Sequence, residues 1–234
     1  MVSAEAACRG ATLPVIAAGR RDRAIDHVIF DLDGTILDNS RTMRRAFDEA
    51  FQECGGIGDS PFPELVSRQG QPFGMILEQL GLPLAMEPAF SRLSRRYVDL
   101  TCPAKGIGEV LADLQNAGVS LSIASGKSRS RARWVLEHFD LLKYFHRIIG
   151  SDDVANGKPA PDMVLRCIGE AGIAPRDTVM IGDAHADYLA ARGAKIRFVL
   201  ATWFQHANID DNEIIAVQSP FELRDLALVS VKSC

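Results

Sequence analysis

The chain has 234 residues and a formal net charge of −4 at pH 7, enough for one large domain or a medium domain carrying an insert. The acidic balance argues against a general nucleic-acid binder, which is basic, yet it leaves room for a phosphorylated substrate if a metal supplies local positive charge. The five cysteines, Cys8, Cys54, Cys102, Cys167 and Cys234, include no CxxC pair, so reduced thiols in a cytoplasmic protein are the simplest account. No apolar run approaches the ~18–20 residues of a membrane span.

Residues 1–24 show no clear period and carry Arg9, Arg20, Arg21 and Arg23. The patch Leu13 to Ala18 is too short for a signal-peptide core, and the basic cluster follows it instead of preceding it. A loosely ordered tail is expected. Val28-Ile29-Phe30 then reads as a strand buried on both faces. It breaks into Asp31-Leu32-Asp33-Gly34-Thr35. Bare carboxylates are costly to bury unless paired or metal-bound, and open α/β sheets place ligands beyond the carboxyl ends of their strands. Taken alone, the stretch reads equally well as a site and as an Asp-Gly turn.

From Arg41 to Ala104 the signal is helical, with no strand-like run. Met43, Ala46, Phe47, Ala50 and Phe51 repeat at three- and four-residue spacing, followed by runs at about 73–80 and 88–100. Strand and helix patterns then alternate, as in a parallel sheet. Strands are expected at 119–124, 147–149, 178–181 and 196–201, with helices near 107–114, 130–139, 162–168 and from 186. A short final helix is expected from Phe221 to Leu228. Ser125 and Lys127 follow the second strand, and Asp183 and Asp187 the fourth, so polar groups recur at one sheet edge.

The ordered set resembles the haloacid dehalogenase (HAD) superfamily of phosphotransferases, in the branch with a helical cap after the first strand. Asp31-Leu32-Asp33-Gly34-Thr35 matches its first motif, Ser125 the second, Lys158 in Gly157-Lys158-Pro159-Ala160-Pro161-Asp162 the third, and Gly182-Asp183 with Asp187 the fourth. The phosphoglycolate-phosphatase-like proteins are the most similar subgroup. The resemblance implies a doubly wound parallel, Rossmann-like α/β core at 25–39 and 105–234 with an inserted α-helical cap at 40–104. It also implies a phosphatase that uses Mg²⁺, whose hard oxygen ligands suit such a site.

In that family's chemistry Asp31 is the nucleophile, forming an aspartyl-phosphate, and Asp33 is the acid and then the base. Asp31, the Asp33 carbonyl, Asp183 and Asp187 hold the metal. Gly34, Thr35, Ser125, Gly126 and Lys158 surround the phosphoryl group, whose charge must be offset. Each has a plain alternative: Ser125 as a helix N-cap, Lys158 as a loop lysine, Asp187 as a charge at a helix N-terminus. Lys127 and Arg129 read as surface residues or phosphate contacts, and His185 as solvent-facing.

Asp33 argues against a dehalogenase, since a leaving halide needs no proton. The lack of any lysine from Arg41 to Ala104 argues against Schiff-base chemistry in the cap. Gly70-Gln71-Pro72 is the candidate specificity loop, with Gln71 either bonding substrate or facing solvent. Ala191-Arg192-Gly193 brings a glycine early, which leaves that helix boundary open. A cis bond is expected before Pro159. The expected partner is a small phosphorylated metabolite, with neither nucleic acid nor membrane involved and a monomer or homodimer as the assembly. Phosphoglycolate, a sugar phosphate, a nucleotide and pyrophosphate stay open as substrates. A mutase, and a non-catalytic binding or regulatory protein on the same fold, are the other readings.

Overall fold

The computed structural model describes residues 25–68, 73–204, 209 and 214–224. The segment 1–24 and the loop Gly70-Gln71-Pro72, with Gln71, lie outside the described residues. Six parallel strands form the main sheet in the order β5-β4-β1-β6-β7-β8. They are β1 (His27–Phe30), β4 (Ser120–Ala124), β5 (Arg147–Ile149), β6 (Thr178–Gly182), β7 (Arg197–Ala201) and β8 (Ile215–Val217). β1 lies inside the sheet, between β4 and β6, and all four of its residues are buried.

Strand periodicity sorts these runs into two cores. Val28, Phe30, Leu121, Ile123, Val179 and Ile181 join one apolar cluster. Ile29, Ala124 and Met180 point the other way into a second. Helices α5 (Ile107–Asn116) and α6 (Arg129–His138) cover the first face, and α7 (Asp162–Ala171) and α8 (His185–Gly193) the second. Burial on both faces is why these strands read as continuous apolar runs.

Among the described residues, four α-helices lie between β1 and α5: α1 (Ser40–Glu53), α2 (Phe62–Val66), α3 (Phe73–Gln79) and α4 (Met86–Arg96). They enclose their own cluster, including Phe47, Phe51, Leu77, Phe90 and Leu93. The rings of Phe73 and Phe90 stack at 4.5 Å. The chain enters and leaves this block through a short antiparallel ribbon of β2 (Leu37–Asp38) and β3 (Cys102–Pro103). Buried Thr42 and Thr101 bond at 2.7 Å beside it.

Several boundaries differ from the sequence reading. The ribbon β2–β3 was not expected, because two residues per strand are too few to display a period. The run near 88–100 divides into α4 and a separate 3₁₀ turn, Val98–Leu100. β8 is an additional strand beyond Ala201. The expected final helix opens with a 3₁₀ turn at Pro220–Glu222, Leu223 and Arg224 are helical, and residues 225–228 lie outside the described residues. Gly193 is the last residue of α8, while the left-handed position falls on Lys195 at φ 57°. A Cβ on Gly193 would stand 3.1 Å from Pro161 Cβ, so close packing against the Lys158 loop accounts for the early glycine. The Lys158-Pro159 bond is cis, as expected.

Candidate active site

The carboxyl ends of β1, β4 and β6 meet at one edge, as parallel topology requires. Asp31 follows β1 directly, and its backbone N–H still donates to Ile181 O at 2.9 Å. Ser125 follows β4 and is fully buried, and Asp183 follows β6. Asp187 lies in the first turn of α8, buried, and accepts from the Ala184 N–H at 3.1 Å. Oxygens of Asp31, Asp183 and Asp187 all lie within 4.8 Å of one another.

Lys158 joins the cluster. Its buried Nζ donates to Asp31 Oδ1 at 2.5 Å, Asp187 Oδ1 at 2.7 Å and Ala124 O at 3.0 Å. Burial pulls the ammonium toward neutrality, but Asp187 and Asp31 outweigh it, so its pKa is raised and it stays charged. Asp31 is pushed well above the ordinary carboxylate range by burial, with Lys158 opposing and Asp187, Asp183 and Asp33 adding to the rise. Burial and then Asp187 raise Asp183 to about 7. One lysine thus faces three crowded carboxylates. That excess of negative charge in an all-oxygen donor set fits a hard divalent cation.

The loop after β1 is built to hold Asp183. Thr35, fully buried, donates from Oγ1 to Asp183 Oδ1 at 3.2 Å. Gly34 adopts φ 82°, and a Cβ there would run into the Asp183 carboxylate. Both a left-handed backbone and a close approach therefore demand glycine. Ser125 Oγ accepts from the Lys127 N–H at 3.1 Å. It does not cap α6, whose N-cap is Ser128.

The haloacid dehalogenase-like hydrolase model matches residues 28–201. The chain belongs to this family. A phosphoglycolate phosphatase of Aquifex aeolicus is 27% identical over 181 residues, 75% of this chain and 84% of the relative. The pyrophosphatase PpaX of Oceanobacillus iheyensis is 28% identical over 183 residues, 77% of this chain and 85% of the relative. The crystal structure of a HAD-superfamily hydrolase, subfamily IA, from Geobacter sulfurreducens superposes with TM-score 0.71 at 26% identity, covering 87% of this chain and all of that one. This HAD hydrolase is accordingly an enzyme of the phosphatase type.

Its site also contains residues that the sequence left open or passed over. Lys127 forms an ion pair with Asp33 Oδ2, and Asn39 Nδ2 donates to Asp33 Oδ1 at 2.8 Å. Trp203 Nε1 donates to Thr35 O at 2.9 Å, pinning the β1 loop from beyond β7. Arg129 instead pairs with Asp153 at 2.7 Å, and His185 is exposed as expected. Lysine and asparagine in such positions carry no signal of their own, since only the fold brings Lys127 and Asn39 to the same carboxylate.

A cleft of about 1030 Å³ opens between this edge and the helical block. Asp31, Asp33, Lys158, Asp183, Asp187 and Gly126 line it on one side, and α4 on the other. No helix among the described residues is long and apolar enough to cross a membrane.

Proposed function

We propose that this HAD hydrolase is a Mg²⁺-dependent phosphomonoesterase that acts on a small phosphorylated metabolite through an aspartyl-phosphate. The observation that carries the reading is the cluster of Asp31, Asp183 and Asp187 around buried Lys158, with Asp33 held beside it. Asp31, Asp183 and the Asp33 carbonyl would hold the metal, with Asp187 as a further or water-mediated ligand, and the bound cation would supply positive charge to the phosphoryl oxygens.

The chain's own groups account for the rest. An oxygen of Asp31 attacks phosphorus in line with the ester oxygen. As the P–O ester bond breaks, Asp33 gives its proton to the leaving oxygen. The ionised Asp33 then takes a proton from water, whose oxygen attacks phosphorus and breaks the bond to Asp31. Phosphate leaves, and both aspartates return to their starting states. Lys158 and Ser125 compensate charge on the transferring group. Thr35 and Gly34 act through Asp183, and Gly126 borders the cleft where the phosphoryl group enters.

The division into a catalytic core at 25–39 and 105–234 and a cap at 40–104 belongs to the same proposal. It is supported by the separate apolar cluster of α1–α4 and by the ribbon that connects it. The relatives named for phosphoglycolate and pyrophosphate set the first substrates to try. Phosphate release from a panel that includes both, a sugar phosphate and a nucleotide, with Mg²⁺ and with a chelator, tests the reading. Metal-dependent release from at least one is expected, and none from any would overturn it.

A further inference from the structure

The cleft is much larger than one phosphoryl group requires, and its charged lining falls into two parts. The inner part is the carboxylate cluster with its lysines. The outer part consists of Arg131 on α6, Arg95 on α4 and Glu87 on α4, with Trp134 beside them.

Arg131 is half-buried, and burial lowers its pKa, with Asp33 and Glu87 opposing and Arg95 adding to the fall. Arg95 is more exposed, and its guanidinium lies over the Trp134 ring, 5.7 Å from the centroid. Among the described residues neither guanidinium is ion-paired. Within the helical block Arg44 pairs with Asp48, Arg92 with Glu53 and Arg96 with Glu49. Asp33 and Glu87 are the carboxylates that face Arg131, and Lys127 already pairs with Asp33, so two cations and one unpaired carboxylate remain and the outer cleft is net positive. Withdrawing a guanidinium from water is unfavourable unless an anion meets it. Its planar fork matches a carboxylate or phosphate through two parallel hydrogen bonds.

We propose that Arg131, with Arg95 across the cleft, forms a second anion subsite, so that the substrate carries a second anionic group, carboxylate or phosphate, besides the phosphoryl group it loses. This rests on the phosphatase reading above. Arg131 comes from the sheet side and Arg95 from the helical block, so a single anion would be held from both walls. The ring of Trp134 gives the Arg95 guanidinium a cation–π partner at 5.7 Å. Glu87, on the same helix, disfavours a second anion beyond the one the arginines accept.

Two matched pairs of probes read the subsite. 3-Phosphoglycerate and glycerol 3-phosphate differ in a tail carboxylate. 1,3-Propanediol bisphosphate and its monophosphate differ in a tail phosphate. Wild type should favour the anionic-tail member of at least one pair in kcat/KM, and which pair it favours identifies the group. Arg131→Gln should lower that preference about tenfold or more through KM, as expected for losing a charge-assisted bidentate contact. Arg131→Lys should recover part of it, and Arg95→Gln should lower it less. No preference in wild type, or a preference unchanged in both glutamine variants, overturns the subsite. If wild type releases phosphate from none of the four probes, the phosphatase reading is still judged by the wider panel above and the subsite by binding. Calorimetric titration of Mg²⁺-loaded Asp31→Asn with the same pairs then decides the subsite. Tighter binding of an anionic-tail member supports it, and equal or absent binding overturns it.

Discussion

Replacing Lys127 by methionine removes the ion pair to Asp33 Oδ2 and leaves Asn39 on the other oxygen at 2.8 Å. A hydrogen bond to a charged group contributes ~1.5–3 kcal/mol. The two side chains are 18% and 29% exposed, so water replaces part of the contact. About 1–2 kcal/mol then remains after discounting for that screening, and it counts toward rate only as far as the contact strengthens when Asp33 gives up its proton, so the loss is at most about 5–30-fold. The loss should depend on the leaving group. An alkyl phosphate needs a proton from Asp33 as its P–O bond breaks, whereas p-nitrophenolate leaves without one. The parameter to compare is kcat/KM, because it reports phosphoryl transfer to Asp31 and excludes the later hydrolysis step. The expected result is a several-fold larger loss for the alkyl ester than for p-nitrophenyl phosphate. Equal losses on both would mean that Lys127 acts on the phosphoryl group, and no loss on either would refute any role for the pair.

Asp31→Asn should abolish turnover while retaining Mg²⁺ binding, because an amide cannot form the acyl-phosphate; turnover within tenfold of wild type would rule out the covalent route. Asp183 has its pKa raised to about 7, so protons compete with the metal below that pH. The apparent Kd for Mg²⁺, followed by calorimetry, should weaken by about tenfold per pH unit from pH 7 downward, and a flat profile between pH 8 and 5.5 would contradict the assignment. His27 is buried, bonded to Ser122 Oγ at 2.8 Å, and burial with Arg147 lowers its pKa to about 4. Since the folded protein holds it neutral, stability present above the unfolded value of about 6.5 is lost as pH falls toward 4, by up to about 3 kcal/mol. Urea unfolding at pH 7 and 4.5 should show that loss shrinking in His27→Gln, and equal losses in both proteins would refute it.

The parts of the molecule legible in the sequence are those with enough residues to show a period. β1, β4 and β6 announce themselves because burial on both faces demands consecutive apolar side chains. Met43 to Phe51 shows α1 because one helix face must cover Phe90 and Leu93. Asp31, Asp183, Asp187 and Lys158 were legible as a set through their order along the chain, and the fold brings these four together. The roles assigned to them belong to the proposed function. Lys127 and Asn39 were not legible in this way, because each meets Asp33 only through tertiary geometry. Arg131 sits between Arg129 and Arg133 in a basic run that does not single it out. Residues two apart on a helix point in different directions, and only the placement of α6 turns Arg129 toward Asp153 and Arg131 toward the cleft.

Asp33 differs from the rest of the site in what holds it. Lys158 bonds to Asp31, Asp187 and the β4 backbone, and Asp183 accepts from Thr35 in the loop after β1, so none of these partners comes from the helical block. Asp33 is held on one oxygen by Lys127, just past β4, and on the other by Asn39. Asn39 lies between β2 and α1, where the chain passes from the ribbon into the helical block. A rotation of that block about the ribbon would therefore displace the Asn39 amide without moving a single partner of Lys158. Asp33, the proposed proton donor and acceptor, is tied to both parts of the molecule, and Asp31 with the carboxylate cluster to only one.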